Sequence, residues 1–166
     1  MRRFTSRIVD KLREYKIAFR GLGAGKHSYE FVLDDVFFHC FESTKGTVGQ
    51  VKAEVELIKS SLLMEVKIRI AGTVKAVCDR CLGELELPVK GEMELYVKQS
   101  EREEGNDDDF IILAAEDDFI DLSSYLYEVY MLNYPMRVVH PEGECDSDMQ
   151  DMLDNYIVEE NDKPND

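Results

Sequence analysis

Two stretches of period-2 alternation, separated by a short polar turn, limit what this chain can fold into more than any other feature. Val51, Ala53, Val55 and Leu57 alternate with Lys52, Glu54 and Glu56. After Ser60 and Ser61, Leu62, Met64, Val66, Ile68 and Ile70 alternate with Glu65, Lys67 and Arg69. Successive strand side chains point to opposite faces, so each run makes one apolar and one wet surface. A short turn between two such runs predicts an antiparallel hairpin. The alternation resumes past Gly72 toward Cys78, then in Leu85, Leu87 and Val89, and again in Met93, Leu95 and Val97. Gly72 and Gly91 fall where a bulge or bend would curve the sheet. Upstream, Tyr15–Phe19 and Ser28–Leu33 read as a further strand pair around the turn Gly21–Gly25. The fold class expected is α+β: a curved antiparallel meander sheet of five to seven short strands, with a few short helices and an acidic helical C-terminal part.

The helices expected are short. Arg3–Glu14 places Phe4, Ile8 and Leu12 on one side. Asp34 and Asp35 suit the cap of a helix carrying Val36, Phe37 and Phe38. Asp121 reads as the N-cap of a helix from Leu122 to Tyr134 that Pro135 stops, and Ser147–Val158 as a last helix. The expected organisation is a basic N-terminal segment (1–14), one domain (15–158) with an acidic loop at about 101–109, and a disordered acidic tail (159–166).

The net charge of −15 hides a split. Residues 1–100 hold 17 Lys/Arg against 14 Asp/Glu, a net of +3, and residues 101–166 hold 3 against 21, a net of −18. That excludes a uniformly basic nucleic-acid binder. Within residues 1–26, however, eight cations face two acids, and Arg2, Arg3, Arg7 and Lys11 are the candidate phosphate contacts. Glu101, Glu103, Glu104, Asp107, Asp108 and Asp109 are the candidate contacts for a basic protein partner. The basic start is not followed by the apolar stretch of a secretory signal. Phe110–Ala115, the longest apolar run, is too short to cross a bilayer. A cytoplasmic location is expected, with its four cysteines reduced or bound to metal.

Those cysteines carry the sharpest local signal. Cys78-Asp-Arg-Cys81 has the spacing that lets two thiolates meet one tetrahedral ion from a tight turn. Downstream, His140 and Cys145 offer an imidazole and a thiolate with four residues between them. Together they make a Cys3His set of the kind that holds structural zinc, and one zinc would pin the acidic third of the chain onto the sheet. The plainer reading is that Cys78 merely continues the strand alternation. A redox role is disfavoured: after Leu82 and Gly83 comes strand-like Glu84–Leu87, not the helix whose N-terminus would activate a thiol.

Catalytic constellations are scarce. His27 lies in a glycine-rich turn, and His39, between Phe38 and Cys40, is expected to pack. The clusters Asp34-Asp35, Asp107–Asp109 and Asp117-Asp118 are explained by caps and solvated loops. Gly21–Lys26 lacks the spacing and the following hydroxyl residue of a phosphate loop. No enzyme, small-molecule substrate or membrane association is expected.

The order of these segments resembles the YceD family of bacterial and plastid proteins. The resemblance runs from about Tyr15 to Cys145. It rests on Cys78-Asp-Arg-Cys81-Leu82 within an alternating sheet, the acidic loop, and the late helix leading to Tyr134-Pro-Met136 and then His140 and Cys145. It implies a small non-catalytic factor acting in synthesis, processing or stability of the 23S rRNA, with large-subunit rRNA or a basic ribosomal protein as partner. Many members carry a further cysteine cluster near the C-terminus; here Cys145 alone remains, with His140 nearby. The resemblance supplies no active site to carry over. The alternative function is a zinc-stabilised protein-interaction module with no RNA role.

Overall fold

The computed structural model describes residues 11–41, 48–100, 110–149, 151, 152 and 155. Its centre is the predicted hairpin: β3 (Val48–Lys59) and β4 (Met64–Val77) pair antiparallel with Val55 opposite Ile68. Val51, Ala53, Val55, Leu57, Val66, Ile68 and Ile70 are all buried, while Lys52, Glu54 and Arg69 face solvent. Burying each large apolar side chain contributes about 1.5–3 kcal/mol before entropy is counted, so this face organises the molecule. β2 (Gly25–Leu33) joins β3 on one side and β5 (Glu84–Ser100) joins β4 on the other, both antiparallel.

Gly72 and Gly91 do not mark bulges, because the pairing runs unbroken through Val51–Gly72 and Ile70–Gly91. Each marks a close approach instead. A Cβ on Gly72 would lie 2.6 Å from the Cα of Val51, and one on Gly91 only 2.3 Å from Nδ2 of Asn133. Among the described residues, pairing on the far side of β5 covers only Tyr96–Ser100, so no strand lies beside Pro88 there.

Two expectations about the sheet are corrected. The meander is not purely antiparallel, since β6 (Phe110–Ala114) runs parallel to β5 with Phe110 opposite Tyr96. Its alternation is hidden in the sequence: Ile111 and Leu113 are buried, but their outward neighbours Phe110 and Ile112 are apolar too. The second correction concerns the N-terminal strands. β1 (Lys16–Ala18) pairs with β7 (Phe119–Asp121), not with β2, so Gly21–Gly25 is not a hairpin turn. Lys59 Nζ donates to the carbonyls of Phe19 and Leu22, both at 2.8 Å, and turns that segment away from β2. Ile17 and Ile120, opposite each other, both enter the core.

Two helices cover the apolar face. α1 (Asp35–Cys40) starts as expected, with Asp34 Oδ1 accepting the Phe37 N–H at 3.0 Å, and it buries Phe37 and Phe38. His39 is exposed on it, not packed. α2 (Ser123–Asn133) buries Leu126, Val129 and Tyr130. Its N-cap position is Leu122, one residue later than expected; Asp121 Oδ1 instead takes the N–H and hydroxyl of Ser123, at 3.0 and 2.6 Å. Extended backbone at Tyr134, before Pro135, ends it. Of the two remaining expected helices, residues 1–10 lie outside the described residues; Lys11 and Leu12 are helical, Arg13–Tyr15 form a 3-10 turn, and Ser147–Met149 are helical. No helix among the described residues is long and apolar enough to cross a membrane.

Candidate metal centre

β4 and β5 are joined by the turn that carries the paired cysteines. The Cys78 N–H donates to the Gly83 carbonyl at 2.8 Å, and the Leu82 N–H to the Cys78 carbonyl at 2.9 Å. The turn forces Leu82 into the left-handed region at φ 59°, a conformation that costs a branched residue about 1–2 kcal/mol. The chain after α2 lies against this turn. Asp79 donates its N–H to the Val138 carbonyl at 2.7 Å, and its Oδ2 accepts the Val138 N–H at 2.7 Å. Those reciprocal bonds set the following residues beside the cysteines.

The sulfurs of Cys78, Cys81 and Cys145 and one ring nitrogen of His140 therefore converge, all within 4.8 Å of one another. Cys78 Sγ lies 3.9 Å from Cys145 Sγ, and His140 Nδ1 lies 3.3 Å from Cys81 Sγ and 3.9 Å from Cys145 Sγ. Zinc–sulfur bonds of about 2.3 Å and a zinc–nitrogen bond of about 2.0–2.1 Å set tetrahedral ligand atoms roughly 3.5–3.8 Å apart. A small inward movement closes this set on one ion. All three cysteines are buried, with Leu85, Val139 and Met149 packed around them.

The surroundings prepare the four donors unequally. His140 Nε2 sits 3.1 Å from the Glu84 carbonyl, which can only accept, so Nε2 carries the proton and the Nδ1 lone pair can face the sulfurs. Burial works to raise the Cys78 thiol pKa, but N–H groups from Cys81, His140 and Arg80 outweigh it and hold it down at about 5. N–H groups of Asp146 and Gly83 lower Cys81 as well, whereas burial and the neighbouring sulfurs raise Cys145. Sulfur contacts, the first from Cys78, and the Glu84 carbonyl raise His140. Three buried thiols and a half-buried imidazole fit a divalent ion whose binding displaces the thiol protons.

The spacing-based ligand set is thus brought together whole. The residues that hold it in place, Asp79 and Glu84, carry no such signal, because Glu84 acts through its main chain and Asp79 binds a partner 59 positions away. Lys11 is exposed, while Arg2, Arg3 and Arg7 lie outside the described residues. So do Glu101, Glu103, Glu104, Asp107, Asp108 and Asp109.

Fold and site define an α+β protein with a mixed sheet, whose β4–β5 turn and C-terminal segment share a Cys3His centre able to hold a metal ion. Residues 66–165 match the family described as large ribosomal RNA subunit accumulation protein YceD, and the chain belongs to that family. The match starts within β4 and takes in the centre, β5 to β7 and α2; the resemblance upstream of Val66 lies outside it. No curated protein and no solved structure matches the chain.

Proposed function

We propose that the protein is a non-catalytic factor supporting accumulation, processing or stability of 23S rRNA during assembly of the large ribosomal subunit. The family match is the observation that carries this reading. The second part of the proposal is that Cys78, Cys81, His140 and Cys145 hold one structural zinc. Zinc is favoured over harder cations by three sulfurs and one imidazole, and over a catalytic site by four protein ligands that leave no open position. When bound, the ion supplies a cross-link between the β4–β5 turn and the segment after α2, and its binding energy becomes folding energy.

The direct partner is large-subunit rRNA or a basic ribosomal protein. Sedimentation of cell extract, with the protein detected across free, precursor and mature large-subunit fractions, tests the reading. Co-migration with precursor particles and a loss of 23S rRNA on depletion are expected. A protein found only in the free fraction, with 23S rRNA unchanged on depletion, would overturn it.

A further inference from the structure

Charge on the wet face of the five-stranded sheet is laid out in rows. Across β3, β4 and β5, Glu56 faces Lys67 and Lys67 faces Glu94; one row along, Glu54 faces Arg69 and Arg69 faces Glu92. The next two rows hold no carboxylate. Lys52 faces Ala71 and Ala71 faces Lys90, followed by Gln50, Thr73 and Pro88, and then by Lys75 opposite Val48 and Glu86. With strands about 4.8 Å apart, the stems of Lys52 and Lys90 rise roughly 10 Å from each other on either side of a single methyl group.

The cations of these rows differ in their partners. Lys67 pairs with Glu65 at 2.7 Å and Glu94 at 3.9 Å, and Lys26 with Glu56 at 2.8 Å. Among the described residues no ion pair engages Lys52, Arg69, Lys75 or Lys90. An open depression of about 540 Å3 lies around Ala71, lined by Lys52, Arg69 and Lys90, by Glu54 and Glu92 on the Arg69 side, and by Ile70, Gly91 and Asn133. Those two carboxylates offset Arg69 and one further charge, which leaves the lining one net positive charge; Lys75, one row beyond Thr73, faces Glu86.

We propose that this depression seats a phosphodiester group of single-stranded RNA, with Lys52 and Lys90 gripping it from two strands and Ala71 as its floor. The proposal rests on the rRNA reading above and names a surface for it. Glu54, Glu56, Glu92 and Glu94 lie on one side of the seat, where they would repel the second row of phosphates that a duplex brings. A single strand can leave the other way, along β4 past the Thr73 hydroxyl to Lys75.

The test measures affinity for a large-subunit rRNA fragment, by fluorescence anisotropy across a salt series. The proteins are the full chain, Lys52→Gln/Arg69→Gln/Lys90→Gln, and the control Lys16→Gln/Lys26→Gln/Lys67→Gln, which removes equal charge from cations engaged in ion pairs. The seat variant is expected to bind about 10-fold or more weakly, with the slope of log K against log salt reduced by about 2, at roughly 0.7 per lost single-strand phosphate contact. Ala71→Glu, exposed and ringed by cations, is expected to keep the melting temperature and lose the same affinity. Equal weakening by seat and control variants, or none by either, overturns the seat but leaves rRNA binding standing. Wild-type protein that binds no RNA overturns both. Displacement of the RNA by polyglutamate at equal charge concentration overturns the seat in favour of an acidic peptide.

Discussion

The β3–β4 hairpin and the metal centre lie at opposite extremes of how a chain can be held together. In the hairpin, neighbouring strands bury a continuous apolar face, and each residue needs only the right class of side chain. At the metal centre, segments about 60 residues apart meet through four ligand atoms and one reciprocal pair of hydrogen bonds through Asp79. The first region is redundant and forgiving in detail. In the second, a small apolar cluster of Leu85, Val139 and Met149 backs the ligands, so more of the contact depends on single groups.

The largest expected effect breaks the hairpin side of that comparison. Val66→Asp puts an unpaired carboxylate at a fully buried position and is expected to abolish cooperative unfolding by circular dichroism. Lys67→Gln, one residue on and facing solvent with its carboxylate partners, should cost no more than about 0.5–1 kcal/mol. Similar damage from both would mean that the wet face is covered.

The centre should behave differently. Elemental analysis of chelator-free protein is expected to give one zinc per chain. Cys81→Ser, or zinc removal, should raise amide exchange in residues 134–149 while leaving β3 and β4 protected. Unfolding of the whole chain at the same rate would erase the distinction between the two regions.

Smaller effects sharpen it. Gly91→Ala drives a methyl group into Asn133 and is expected to cost about 1–3 kcal/mol in urea melts, with much of that recovered in Gly91→Ala/Asn133→Ala. A double variant no better than the single one would assign the cost to the strand backbone and not to the helix contact. Asp121→Asn is expected to cost less than Gly91→Ala, at about 1 kcal/mol. Burial works to raise the Asp121 pKa, but the Ser123 hydroxyl and N–H and the Lys16 ammonium hold it below the usual carboxylate value. Its contribution is therefore present above about pH 4 and lost as the pH falls through its lowered folded value. Wild type and variant should converge in stability near pH 2. A constant gap would show that charge is not involved.

Much of this was legible from local pattern. Val51–Leu57 and Met64–Ile70 alternate with the period of a strand, so which side of each faces the core follows from the side chains alone. The spacing of Cys78, Cys81, His140 and Cys145 is a property of thiolate and imidazole chemistry, and the ligand set could be named from it. Other features had no letter to announce them. Alternation tells a strand which way to face but not which strand lies beside it, because neighbours are chosen through backbone groups that every residue shares. That is why Tyr15–Phe19 was expected against Ser28–Leu33, whereas Lys16–Ala18 is found against Phe119–Asp121. It is also why the parallel entry of Phe110–Ala114 beside β5 was not foreseen.

By itself, then, the amino-acid order determined the buried faces, the split of charge and the donor atoms offered to a metal, since each depends on residue type and short-range period. Tertiary structure alone decided that Gly91 yields space to Asn133, that Asp79 clasps Val138, and that Lys52 and Lys90 stand on either side of Ala71. Each of these joins residues from different segments, and the energy of such a contact depends on distances that only the folded backbone sets.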